Sequence, residues 1–197
     1  MNIDRNTFIK LGGIMALGAV SIPTLFTSCK RIYNQPNVAN CEVDYEQRLI
    51  ELGLILPSAP KPLGVYRPTL VSGNLLYVSG QTPRRSDNSL ITGKVGADLS
   101  LEDGKFAARQ AGLTMLSVIK NNFGDLNKIC RLIKTFGVVN CTLDFYEQPA
   151  VINGFSELMA EIFGEENGMG VRSAVGGILP SNMAVEIEAI FELRPNI

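Results

Sequence analysis

The end of the chain constrains the fold most. Residues 171–180 read Val-Arg-Ser-Ala-Val-Gly-Gly-Ile-Leu-Pro and residues 185–192 read Val-Glu-Ile-Glu-Ala-Ile-Phe-Glu. Side chains alternate faces along a strand, so the second run sets Val185, Ile187, Ala189 and Phe191 on one face and Glu186, Glu188 and Glu192 on the other. A strand with one fully apolar face needs a covering layer. The first run carries a single arginine, Arg172, near its start. An arginine and two carboxylates flanking a Leu-Pro turn can grip an anion and handle a proton or water. The same pattern also fits a charged edge strand with a solvated face.

The preceding segments supply that covering layer. Ser100-Leu101-Glu102-Asp103 is a capping-box pattern, and it opens a helix predicted to run to Phe123 and stop at Gly124. Ala107, Ala111, Met115 and Ile119 form one stripe, with Ala108, Gly112 and Leu116 beside it, so one face is buried. Gln148-Pro149 starts a second long helix with proline in its first turn. Its apolar face is Val151, Phe155, Leu158, Met159 and Ile162, and Asn153 and Glu157 lie away from that face. A short helix is expected from the Asp44 cap to Gly53. Residues 66–71 and 75–79 read as strands about a Ser72-Gly73-Asn74 turn. Residues 129–143 form a β-rich run too continuous for an exposed strand. Residues 84–97 read as a polar loop with a short strand near Lys94 and Val95. The predicted class is α+β: one mixed sheet with its two long helices on one face. A sheet covered on one side only predicts association through the other.

The first 29 residues read as an export signal. Arg5 and Lys10 are basic, residues 11–26 are apolar and uncharged, and the run ends at Phe26-Thr27-Ser28-Cys29. This stretch is too short for a comfortable membrane span. Its end resembles a bacterial lipoprotein box, which implies lipidation of Cys29 and an exported, envelope or periplasmic protein held to a membrane by that anchor alone. Arg5-Asn6-Thr7-Phe8-Ile9-Lys10 resembles a twin-arginine signal with Asn6 in place of the second arginine. An uncleaved anchor helix is the alternative. Residues 30–43 read as a polar tether and 44–197 as the folded domain.

Composition excludes several chemistries. The chain of 197 residues has no histidine, which removes Ser-His-Asp and Cys-His catalysis and most zinc sites. With 18 basic and 19 acidic residues and no basic run, nothing marks a nucleic-acid surface. Cys29, Cys41, Cys130 and Cys141 form no C-x-x-C pair, and Cys130 and Cys141 read as buried small apolar residues. No metal or cofactor is called for.

Several motifs stand in order over residues 56–193. They are Gly64-Val65-Tyr66, Leu76-Tyr77-Val78-Ser79-Gly80-Gln81, Gly124-Asp125-Leu126, Arg172-Ser173, and Leu179-Pro180 followed by residues 185–189. Together they resemble the Rid/YjgF family of reactive-intermediate (enamine/imine) deaminases, formerly called L-PSP endoribonucleases, in a longer branch. The resemblance implies a chorismate-mutase-like fold and a homotrimer with three sites between neighbouring subunits. It implies that residues 171–180 and 185–192 stand apart in the sheet rather than pairing as a hairpin. It also implies hydrolysis of small 2-imino acids, tautomers of enamines such as 2-aminoacrylate, to 2-keto acids and ammonia. By motif position Arg172 would clamp the substrate carboxylate and Glu186 would position or activate water. Tyr66, Ser79 and Asn153 would line the substrate site, and Glu188 would be structural. The chain departs from the family at Ala174, where cysteine is frequent, and at Val65, where proline is frequent. A non-catalytic trimeric binding protein for small carboxylates is the alternative implied by the same residues.

Overall fold

The structure is a computed structural model and describes residues 43–195. Cys29, Cys41, the export signal and most of the tether lie outside the described residues. Helix α1 spans Tyr45–Glu51, strands β1 and β2 span Thr69–Ser72 and Leu75–Gln81, and α2 spans Leu101–Phe123. They are followed by β3 (Ile129–Asn140), α3 (Gln148–Phe163), a short α4 (Glu165–Gly168), β4 (Val171–Gly177) and β5 (Val185–Leu193). The elements come in the expected order, with α4 the one the sequence did not announce. Near Lys94 and Val95 there are single bridges, from Val95 to Leu99 and Cys141, rather than a strand.

Local chemistry explains the boundaries. Asp44 caps α1 by accepting from the Glu46 and Gln47 amides, and Ser100 and Asp103 close the expected capping box of α2. Gly124 ends α2 at φ 101°, a conformation that suits a residue without Cβ. β1 begins at Thr69 rather than Tyr66, because Pro68 has no N–H to give to a ladder; its carbonyl accepts from the Ser79 amide at 3.0 Å.

The five strands form one sheet in the order β1-β2-β5-β3-β4. β3 and β4 are parallel, joined through α3, and the other pairs are antiparallel. The last strand is inserted between β2 and β3, so β4 and β5 are separated by β3 and form no hairpin. Leu76, Val78, Leu132, Val139, Val185, Ile187, Ala189 and Phe191 share the face that α2 and α3 cover, and all are buried. α2 and α3 pack closely because Gly154 presents only hydrogen to the Lys105 carbonyl; a Cβ there would overlap its carbon at 2.9 Å. Phe155, Leu158 and Met159 fill the layer between them and the sheet. The opposite sheet face is open. Leu70, Tyr77, Phe136 and Val175 stand on it exposed, beside Glu188.

Glu192 has a structural role: its carboxylate takes the Arg131 Nε at 2.6 Å across the β3–β5 ladder. The structure corrects the expectation of full burial for Cys130 and Cys141: both are half-buried, Cys130 near the start of β3 and Cys141 just after its end. Cys141 accepts a weak hydrogen bond from Gln148 Nε2 at 3.5 Å. Among the described residues no helix is long and apolar enough to cross a membrane.

Candidate functional site

A bulge in β2 shapes the first part of the site. Val78 pairs with Ala189 and Gln81 with Ile187, so three steps on β2 face two on β5. The extra residue lies at Ser79-Gly80 and bends the strand end, as bulges do where a side chain must be re-aimed. Gly80 faces Glu186 on β5. A Cβ at residue 80 would stand 2.8 Å from Glu186 Cδ and 2.9 Å from Cγ, and nearer still to Oε1. The absent side chain is therefore the space the Glu186 carboxylate occupies.

That carboxylate opens into a cavity of about 400 Å³ between the proline connector that follows α1, the end of β2 and the Pro180–Met183 turn. Tyr66, Ser79, Gln81 and Arg84 line it together with Glu186. The structure thus gathers three of the expected residues, Tyr66, Ser79 and Glu186, around one space. Tyr66 is half exposed. The Ser79 hydroxyl donates to the Arg67 carbonyl at 2.7 Å, leaving its lone pairs to accept. Burial pushes the Glu186 carboxyl above the ordinary carboxylate value, and the neighbouring Glu188 charge on the same face adds to the rise. A carboxylate raised in this way is a better base toward water than an exposed one.

Arg172 and Asn153 lie elsewhere. On edge strand β4, Arg172 pairs in register with Thr135 of β3, which pairs with Ala189 of β5, so Arg172 is on the helix-covered face. Its Nη1 donates to Asn153 Oδ1 at 2.9 Å and Ser156 Oγ at 3.0 Å, both on α3, and its Nη2 to the Pro149 carbonyl at 3.3 Å. Glu186 pairs with Val138 of β3 and stands on the opposite face. β4 and β5 are two strand spacings apart, roughly 10 Å, in addition to the change of face. Within one protomer the expected site residues therefore stand in two separate groups: Arg172 with Asn153, and Glu186 with Tyr66 and Ser79.

Sequence reasoning missed Gly80 and Arg84. Gly80 was visible as a glycine interrupting a strand, a signal for a bulge or close approach. Arg84 gave no signal, because the cavity it lines is shared with Pro60 and Pro62, more than twenty residues before it. Among the described residues no group of three or more Cys, Asp or Glu is arranged to hold a metal ion.

The chain is thus a one-sided α+β sheet with a half-buried carboxylate opening into a cavity at its end. Residues 46–189 match the family model described as "YjgF/chorismate mutase-like, putative endoribonuclease", and the chain belongs to this YjgF (Rid) family. It is 40% identical over 147 residues to Protein TCP17 of Trypanosoma cruzi, covering 74% of this chain and 92% of that protein. It is 31% identical over 138 residues to the 2-iminobutanoate/2-iminopropanoate deaminase of Dermatophagoides farinae, covering 68% and 90%. Among solved structures, the protein Atu1372 of unknown function from Agrobacterium tumefaciens matches with TM-score 0.68 and 44% identity over 76% of this chain and 94% of that one. A relative of this chain is thus named as an imine deaminase, and the fold is that of the family.

Proposed function

We propose that the protein hydrolyses small 2-imino acids to 2-keto acids and ammonia, in a homotrimer whose sites lie between subunits. The observation that carries this reading is the raised, half-buried Glu186 carboxylate beneath Gly80, facing a cavity large enough for a small acid. A protein that merely held an anion would gain nothing from a carboxylate at that position. The separation of Arg172 from Glu186 fits a site completed by a neighbouring copy, as does the open apolar sheet face.

In this reading Arg172 of one copy meets the substrate carboxylate with its planar fork. Asn153 and Ser156 orient the guanidinium through the bonds they accept. Glu186 of the next copy takes a proton from water as the water oxygen bonds to the imine carbon. The C=N π pair moves to nitrogen, which takes the proton from Glu186. Glu186 then removes the carbinolamine hydroxyl proton and passes it to nitrogen as the C–N bond breaks, so ammonia leaves, the ketone forms and the carboxylate is regenerated. Tyr66 and Ser79 bound the pocket and hold the water.

We further propose export and lipid attachment at Cys29. Incorporation of labelled palmitate by the wild type, abolished by Cys29→Ser, is the expected result; equal labelling of both would refute it.

The direct test of activity generates 2-iminopropanoate in situ with an amino-acid oxidase and follows semicarbazone formation, which competes with hydrolysis. Wild type should suppress the semicarbazone, while Arg172→Ala and Glu186→Gln should not. A folded trimer without effect would leave a carboxylate-binding protein.

A further inference from the structure

Arg84 is a cation without an assigned task. It lines the same cavity as Glu186, and its Nε is buried without a hydrogen-bond partner. Its one recorded bond is long, from Nη1 to the Asn88 carbonyl at 3.4 Å. Among the described residues no carboxylate pairs with it. A buried guanidinium donor left unpaired costs the fold free energy, and such a cost persists where a ligand meets it. The next residue, Arg85, is different: it is exposed and bonds to Ser89 Oγ and the Leu90 carbonyl.

The backbone under Arg84 is braced. Arg84 bridges Leu90 in a small hairpin, closed by Arg85 N to the Ser89 carbonyl at 2.9 Å and Ile91 N to the Pro83 carbonyl at 3.1 Å. Asn88 turns its tip at φ 68°. The Asn88 side-chain oxygen then accepts from the Ser58 amide at 2.9 Å and its hydroxyl at 2.7 Å, tying the hairpin to the connector that walls the cavity. Lys61, exposed at the rim, is the other cation, so the wall carries two cations against the one carboxylate of Glu186. A three-carbon imino acid has only one anionic group, and in the reading above that group belongs to Arg172.

We propose that Arg84 binds a second anionic group of the substrate, and that the preferred substrates are 2-imino acids with a carboxylate in the side chain. This rests on the imine-hydrolase reading of the Glu186 cavity. Arg84 sets specificity and takes no part in the covalent step.

The test compares two imines made in situ: iminosuccinate from D-aspartate with D-aspartate oxidase, and 2-iminopropanoate from D-alanine with D-amino-acid oxidase. The full chain should hydrolyse iminosuccinate with the higher kcat/KM. Arg84→Gln should lose roughly 10- to 100-fold on iminosuccinate, the effect of one charge-assisted hydrogen bond, and less than about 3-fold on 2-iminopropanoate. The retained activity serves as the folding control. Equal losses on both imines, or none, would overturn the proposal. If Arg84→Gln does not fold, inhibition of the wild type decides: succinate should compete at least about tenfold better than propionate, and equal inhibition overturns the proposal. A wild type inactive on both imines would sink the hydrolase reading and with it the imino-acid preference, leaving the second anion site at Arg84 to be tested by binding. Calorimetry with succinate and propionate then separates them. An advantage of succinate that Arg84→Gln abolishes supports the second anion site, and equal affinities refute it.

Discussion

Substituting Gly80 by alanine tests whether the empty space beneath Glu186 is functional. The new methyl would lie 2.8 Å from Glu186 Cδ, whereas non-bonded carbons settle at about 3.5–4.0 Å. The backbone at residue 80 is flanked by the ladder pairs Val78–Ala189 and Gln81–Ile187, so the flexible carboxylate gives way, by roughly 0.8 Å on those figures. A displacement of about 1 Å in a reacting geometry costs on the order of 100-fold in rate, or about 2.7 kcal/mol of barrier. Stability should change little. Gly80 does not have positive φ, so alanine gains about 0.4–1 kcal/mol from the unfolded chain, set against the strain of moving Glu186. The expected result in the semicarbazone-competition assay is a kcat/KM near one hundredth of wild type, with Tm within about 3 °C. Because both substitutions act through one carboxylate, Gly80→Ala added to Glu186→Gln should cost little further activity. Full activity in Gly80→Ala would refute the role given to the bulge.

Other consequences follow from the same geometry. The Glu186 carboxyl is raised in the folded state, so the folded protein holds its proton to higher pH than the unfolded chain, and this group's contribution to stability falls as pH rises through the folded value. Glu186→Gln should therefore have a higher Tm than wild type at pH 7 and no advantage below the ordinary carboxylate value of 4.5; an advantage that grows toward acid would contradict the sign. For the same reason the acid limb of the wild-type kcat/KM profile should lie above pH 4.5. Asn153→Ala removes one of two side-chain acceptors that hold Arg172 Nη1, so KM should rise about tenfold with kcat nearly unchanged; an unchanged KM would remove Asn153 from the site.

Much of the fold was legible because local chemistry declares it. Ser100 and Asp103 announce α2, Pro149 announces α3, and the alternation of residues 185–192 announces which face of β5 is buried. Helix α4 was not legible, because Gly164 closes α3 and four residues are too few to show a period. Strand order was not legible in the residues either: nothing local in β5 says that it enters between β2 and β3. The separation from β4 came only with the family resemblance. The site divides along the same line. Tyr66, Ser79 and Glu186 converge as expected, since the bulge at Ser79-Gly80 and the turn after Pro180 bring them to one cavity. The opposition of Arg172 and Glu186 depends on the register of two ladders through β3, which alternation within a single strand cannot reveal. Arg84 was read as part of a polar loop because its place beside Glu186 depends on tertiary contacts, such as Ser58 with Asn88 thirty residues apart, that no local pattern shows.

In the proposed reading Arg172 and Glu186 act on one substrate from different copies of the chain. Subunit mixing tests it most directly. Arg172→Ala and Glu186→Gln should each be inactive alone. Unfolded together in equal amounts and reassembled as trimers, they should recover about one quarter of wild-type activity, because a site is complete when one copy supplies Arg172 and its neighbour supplies Glu186. If the mixed trimers form and stay as inactive as either parent, both residues serve the same protomer's site, and the divided-site account is wrong.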